Sequence, residues 1–175
     1  MKIVVLESSP NRQGASNTLA GAFVQGAKET GHEVQVFDVA HMRFSSCTGC
    51  YLGHDRRKCV LRDGFGQVED ALEEAGMIVY VTPVYYYLMS APLKAAVDRL
   101  HCFSPKLHGK KSLLIATAWR ADDGVMQYLK AWYEGLAEYL EYDSQGAILA
   151  KGCGNTETII ASPYFKEAYL LGKNL

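Results

Sequence analysis

Ile3-Val4-Val5-Leu6, followed by Glu7-Ser8-Ser9-Pro10-Asn11-Arg12-Gln13-Gly14-Ala15-Ser16-Asn17-Thr18, is the stretch from which the rest of the chain can be ordered. A short β-branched run without polar alternation is the pattern of a strand buried on both faces, as in a parallel sheet. The residues after it are small, hydroxylated or amidic, and a helical pattern takes over from Leu19. Strand, hydroxyl-rich loop and helix N-terminus together make a cradle for an anion. The first-turn amides lack partners, and the helix dipole turns its positive end toward the loop. Capping the helix requires only one residue, Ser16 or Asn17. Three serines, two asparagines and a threonine between Ser8 and Thr18 exceed that need and point to a phosphate.

The loop lacks both G-x-x-x-x-G-K-[ST] and G-x-G-x-x-G, which disfavours a P-loop nucleotidase and a dinucleotide held across this turn. A cradle of side-chain hydroxyls suits one terminal phosphate monoester, and flavin mononucleotide (FMN) is the common cofactor that ends this way in an open α/β sheet. A low-molecular-weight phosphatase loop needs a Cys in this turn, and none is present.

Outward from this unit, the periodicity predicts a helix over 19–30 stopped by Gly31, and a strand over 32–37. A helix over 67–75 and a buried strand over 77–81 follow, then a helix from about 91 to 102 and a strand over 112–117. The remainder reads as a long helix over roughly 125–139, a strand over 142–149 and a last helix over 162–172 with Pro163 in its first turn. Between 38 and 66 there is little periodicity. Five strands alternating with helices is the doubly wound α/β pattern, with parallel strands by the handedness rule. No repeat or linker interrupts residues 1–175, so the expectation is a single domain of ordinary size and composition.

Ligands of such sheets bind at the carboxyl ends of strands. That selects three loops: Ser8 to Thr18, Thr82 to Ser90, and Thr117 to Asp123. A net charge of −1 gives no electrostatic case for nucleic acid or an anionic membrane surface. No apolar run approaches a membrane span and the first residues read as a strand, so the expected location is cytoplasmic.

Two of these segments carry a resemblance. Ser8-Ser9-Pro10-Asn11…Gly14…Ser16-Asn17-Thr18 is similar to the G-S-P-R-x-x-[GS]-N-T loop of the flavodoxin-like NAD(P)H-dependent FMN reductases and quinone reductases. Thr82-Pro83-Val84-Tyr85-Tyr86…Met89-Ser90-Ala91-Pro92-Leu93-Lys94-Ala95…Asp98-Arg99 resembles their more specific S/T-P-V-Y-W/Y-x-x-x-S-A-x-L-K-x-x-x-D-R. The resemblance implies a flavodoxin-like three-layer sandwich, with a five-stranded parallel sheet of order 2-1-3-4-5 and helices on both faces. It implies FMN as cofactor and NAD(P)H as electron donor, with a quinone, free flavin, nitro or azo compound or metal ion as acceptor. It also implies a homo-oligomer, dimer or tetramer. Ser9, Asn11, Ser16, Asn17 and Thr18 would hold the phosphate; Pro83, Val84, Tyr85 and Tyr86 would contact the ring; Thr117, Ala118 and Trp119 would flank its other edge. The chain departs from the pattern at Ser8, where the family often has Gly, and in a longer phosphate loop. Hydride transfer to a flavin needs no general base, and no acid–base constellation is found among the scattered histidines. The competing reading is a non-enzymatic electron carrier like a flavodoxin, which the near-neutral charge disfavours.

Other residues stay open. Three consecutive tyrosines at 85–87 cannot all face a core. Trp119, Arg120 and Asp122 fit either a cofactor role or a surface loop in which Asp122 or Asp123 caps the next helix. Lys94 and Arg99 read as solvated or paired. Cys47-Thr48-Gly49-Cys50 with Cys59 permits loop packing, a reversible Cys47–Cys50 disulfide, or zinc with His54 or His41. Related flavoproteins that hold a [4Fe–4S] cluster look like C-x-x-C-x-x-C followed by a fourth Cys. Here Gly53 stands where that third cysteine would be, and Cys₄ ligation is the rule. No metal is expected. Cys102 and Cys153 read as small packing residues.

Overall fold

The computed structural model describes residues 1–50, 52 and 58–175. Its strands are β1 (Lys2–Glu7), β2 (Glu33–Asp38), β3 (Met77–Pro83), β4 (Lys111–Thr117) and β5 (Asp143–Ala150). They form one parallel sheet in the order β2-β1-β3-β4-β5, the flavodoxin-like arrangement expected. Among the described residues, six α-helices cover it: α1 (Ala15–Glu29), α2 (Gly66–Glu74), α3 (Ala91–Arg99), α4 (Gln127–Tyr139), α5 (Thr156–Ile160) and α6 (Pro163–Lys173).

Strand alternation divides the core into two layers. Ile3, Val5, Met77, Val79, Leu113 and Ile115 pack under α1, α5 and α6. Val4, Leu6, Ile78, Tyr80 and Leu114 pack under α2, α3 and α4. Both faces of the central strands are therefore dry, which is why β1 and β3 read as unbroken apolar runs. Helix α6 reaches the backbone of α1. A Cβ at Gly26 would stand 2.1 Å from the Tyr169 carbonyl oxygen, so only glycine permits that spacing.

The boundaries differ from the sequence expectation where polar residues mask a turn. Helix α1 begins at Ala15, four residues before Leu19, because Ser16 and Asn17 are buried in its first turn despite their polarity. After α3 the chain tightens into a 3₁₀ segment, Leu100–Lys106, that contains Pro105, and a 3₁₀ turn, Asp123–Met126, precedes α4. Helix α5 went unpredicted: five residues are too short for a period, and a capping box between Asn155 and Thr158 sets it. Of the described residues between β2 and α2, none is in a helix or strand.

Candidate functional site

The carboxyl ends of β1, β3, β4 and β5 meet on one edge of the sheet, beside the switch in strand order between β1 and β3. Backbone bonds stitch the loops that leave them. The Val84 amide donates to Thr117 O (2.8 Å), the Ala118 amide to Ala150 O (2.9 Å) and the Cys153 amide to Ala118 O (2.9 Å). Ser8, the departure from the resembled pattern, is fully buried as the tie between the first two loops. Its hydroxyl donates to Val81 O (2.7 Å) and accepts from Ser90 Oγ (2.8 Å), while the Ser90 amide donates to Thr82 Oγ1 (2.9 Å).

The first loop is built to leave donors free. Asn11 Oδ1 accepts from the Gln13 amide, Ser9 Oγ from the Asn11 amide, and Asn11 O from the Gly14 amide. These bonds fold residues 9–14 tightly; a Cβ on Gly14 would lie 2.9 Å from both Asn11 O and Ser9 Oγ, filling the cradle. Gly14 is the N-cap of α1 without a side-chain cap bond, and no acidic residue occupies the first turn. Ser16 is therefore not the cap. It is 1% exposed, yet its Oγ has no hydrogen-bond partner, and neither does Asn17 Oδ1. A buried hydroxyl left unpaired costs about 1–3 kcal/mol. At an uncapped helix N-terminus, such a donor is placed to bind an anion.

Around this turn, Ser9, Asn11, Gly14, Ala15, Ser16, Pro83, Val84, Tyr85, Thr117, Trp119, Cys153 and Gly154 enclose a cavity of about 250 Å³. Eight of the twelve candidate residues thus share one wall system: Ser9, Asn11, Ser16, Pro83, Val84, Tyr85, Thr117 and Trp119. Asn17 and Thr18 instead line a second, polar cavity with Glu7, Arg12 and the shared Asn11. Tyr86 and Ala118 line a third, of about 370 Å³, which shares Val84 and Trp119 with the first. Burial and the neighbouring Asp38 carboxylate push the Glu7 carboxyl up to about 7.

The aromatic loop explains its tyrosines. Tyr85 and Leu88 exchange backbone bonds (2.9 and 3.1 Å), closing a two-residue turn in which Tyr86 (φ 48°) and Tyr87 (φ 70°) are both left-handed. Two positive φ values are the mark of a type I′ turn, where Asn-Gly is normal. Tyrosines there are strained, and strain of this kind collects at functional sites. Tyr86 is 97% exposed, while Tyr87 rests edge-on against Tyr128 at 6.1 Å. Trp119 is 83% exposed and lies over Gly154, where a Cβ would come within 2.5 Å of its ring. Neither Asp122 nor Asp123 caps a helix with its side chain: Asp122 pairs with Arg120 (2.7 Å), and Asp123 with Lys151.

The sequence reading missed the contribution of β5. Cys153, assigned to packing, lines the 250 Å³ cavity with Gly154, and Thr156 Oγ1 donates to the Gln13 carbonyl across the chain. Gly152-x-Gly154 at a strand end was the available signal.

Arg99, the last residue of α3, is 1% exposed. It donates to Asp63 (2.9 and 3.2 Å) and to Ser45 O (2.8 Å), so it pins both ends of the 43–65 loop and is paired, as one of its two readings had it. Lys94 pairs at the surface with Asp98 (2.6 Å). Cys47 and Cys50 are exposed, Cys59 and Cys102 half-buried. Gly53 and His54 lie outside the described residues. Among the described residues, no three His, Cys, Asp or Glu side chains converge to hold a metal, and no helix is long and apolar enough to cross a membrane.

Comparison with known proteins follows the same lines. The sequence profile of the NADPH-dependent FMN reductase family matches residues 1–139. An iron-sulfur flavoprotein of Archaeoglobus fulgidus is 28% identical over 140 residues, 75% of this chain and 64% of that protein. One from Methanocaldococcus jannaschii is 28% identical over 99 residues, 57% of this chain and 51% of that protein. The chain thus spans between half and two-thirds of these relatives. Among solved structures, the NAD(P)H:quinone oxidoreductase of Methanothermobacter marburgensis superposes with a TM-score of 0.79 at 18% identity, over 99% of this chain and 96% of that one. An FMN-dependent NADH-azoreductase of Bacillus anthracis does so at 0.70 and 13%, over 99% and 98%.

Proposed function

The chain belongs to the NADPH-dependent FMN reductase family, and on that footing we propose that it is an FMN-dependent oxidoreductase passing two electrons from NAD(P)H to a small acceptor. A quinone, free flavin, nitro or azo compound or metal ion is the acceptor class. The observation that carries this reading is the unpaired Ser16 Oγ, buried at an uncapped helix N-terminus that opens on a cavity walled by the β3, β4 and β5 loops.

Ser9, Asn11 and Ser16, with the first-turn amides of α1, hold the phosphate of FMN; Asn17 and Thr18 belong to the same turn and border the adjoining polar cavity. Pro83, Val84, Tyr85, Thr117 and Trp119 hold the ring, with Cys153 and Gly154 closing the wall. When bound, FMN supplies a centre that accepts a hydride from nicotinamide and returns the electron pair to a second substrate. The protein's own part is to bind, orient and exclude water. Tyr86, Trp119 and Ala118 border the adjoining cavity, where an aromatic acceptor stacks without any side chain acting as acid or base. Cytoplasmic residence and a homodimer or tetramer belong to the same proposal.

An iron–sulfur centre does not fit the described residues. Four thiolates are the rule for such a cluster, and among the described residues no three His, Cys, Asp or Glu side chains converge to hold a metal. No step is derived through a cluster.

The test is to purify the chain, add FMN, and follow NADH and NADPH oxidation with a benzoquinone. Yellow, saturable FMN binding with turnover on either nicotinamide is expected. FMN binding without turnover makes the protein a flavodoxin-like carrier, and failure to bind FMN at high concentration removes the proposal altogether.

A further inference from the structure

The cavity of about 370 Å³ that shares Val84 and Trp119 with the ring pocket has aromatic walls, given by Tyr86, Tyr87 and Trp119. The rest of its lining is aliphatic apart from Arg120, the one charged residue among the described residues that border it. Small-molecule sites are about 300–1,000 Å³ and mostly apolar, with a few polar groups that set the ligand's orientation. The loop fixes where Arg120 stands, because its carbonyl accepts from the Gly152 amide (2.9 Å) beyond β5. The guanidinium is held as well: Nε donates to Asp122 Oδ2 (2.7 Å). Among the described residues no other side chain hydrogen-bonds to Arg120, so both terminal nitrogens keep their N–H groups for a ligand. The next carboxylate, Asp123, is engaged by Lys151 and does not compete. The Arg120 side chain is 59% exposed and meets a ligand without rearrangement. Its planar fork of donors matches a carboxylate or sulfonate, and the aromatic walls offer faces on which a ring stacks.

We infer that Arg120 sets acceptor specificity: it binds the anionic substituent, sulfonate or carboxylate, of an aromatic acceptor whose ring lies against Trp119 and Tyr86. This rests on the reading of the adjoining cavity as the acceptor site. Arg120 takes no part in the redox step. It holds the substituent, Asp122 holds Arg120, and the bound ring is thereby given one orientation in the cavity. An uncharged acceptor of the same shape keeps the stacking and loses the anchor.

The experiment uses the full chain loaded with FMN and compares R120M and R120K with the native chain, flavin content being checked by absorbance. Calorimetry with naphthalene-2-sulfonate and its uncharged isostere naphthalene-2-sulfonamide reads binding without turnover. The native chain should prefer the sulfonate. Loss of one charge-assisted hydrogen bond weakens binding about 10-fold at the lower end of its range, so the sulfonate-to-sulfonamide affinity ratio should fall about 10-fold in R120M. R120K, with the charge but not the fork, should keep part of it. Steady-state reduction of 1,4-naphthoquinone-2-sulfonate and 1,4-naphthoquinone should show the same fall in the ratio of kcat/KM, carried by KM. No sulfonate preference in the native chain, an unmoved ratio in R120M, or an equal loss for both members of each pair overturns the inference. A change confined to NADPH against NADH gives Arg120 to the donor's phosphate and overturns it too. If the native chain fails to hold FMN or to reduce the uncharged quinone, the flavin reading falls instead, and the calorimetric ratio still decides whether Arg120 holds the anion.

Discussion

Replacing Ser16 by Ala separates a structural hydroxyl from a ligand-binding one. The Oγ removed is buried, carries no hydrogen bond and sits in the second position of α1. A structural serine loses stability on truncation, whereas this one relieves an unsatisfied hydroxyl and gains helix propensity. The ligand-free protein should therefore become more stable, by about 1 kcal/mol, from the lower end of the burial cost and the Ser-to-Ala propensity difference. For a chain of this length that raises Tm by about 2–4 °C. With a phosphate present the sign reverses. A hydrogen bond to a charged group contributes about 1.5–3 kcal/mol, so Kd for FMN rises about 10- to 150-fold. Riboflavin, which lacks the phosphate, is the control. Fluorescence quenching should give weakened FMN binding and unaltered riboflavin binding in the variant, and thermal melts should give a higher Tm without ligand. Unchanged FMN affinity, equal loss for both flavins, or a less stable ligand-free protein would each refute the assignment of Ser16 to the phosphate.

Other perturbations read other parts of the molecule. Tyr86→Asn places a favoured residue in the left-handed first position of the turn, so urea denaturation should report a gain of about 0.5–1 kcal/mol, with a higher KM for an aromatic acceptor. Arg99→Met leaves Asp63 partly buried and unpaired, and unfolding free energy should fall by about 3 kcal/mol; a loss below 1 kcal/mol would show that the pair does not hold the loop. Glu7 tests pH. Its carboxyl is raised from 4.5 to about 7, so between those values the unfolded chain releases a proton that the native state keeps. Native stability is therefore lost as pH climbs through that window, and the loss is complete above it. Glu7→Gln should exceed the native protein in urea midpoint by a margin that is small at pH 5 and largest at pH 8; a constant margin contradicts the shift.

What could be read in the chain was whatever local pattern carries. The apolar runs of β1, β3 and β4 are legible because a strand dry on both faces needs no alternation, and the hydroxyl-rich loop is legible because its donors are neighbours in sequence. The two motifs, with the loop after β4, brought eight of the twelve candidate residues to one cavity, since strand ends of a doubly wound sheet must meet on one edge. Boundaries failed where polarity hid burial, as at Ser16 and Asn17, or where an element was too short to show a period, as in α5.

The amino-acid sequence alone thus carried the fold class, the hydroxyl-rich loop and the two loops after β3 and β4 that face it. Only tertiary structure decided that Ser16 keeps its hydroxyl free, that Tyr86 and Tyr87 occupy a left-handed turn, and that Cys153 and Gly154 complete the wall. It also decided that Arg99 reaches Asp63 across 36 positions of chain. The reason is physical: periodicity and turn chemistry act over one or two turns of backbone, whereas the fate of a polar or charged side chain depends on which distant partner the packed core brings within hydrogen-bonding reach.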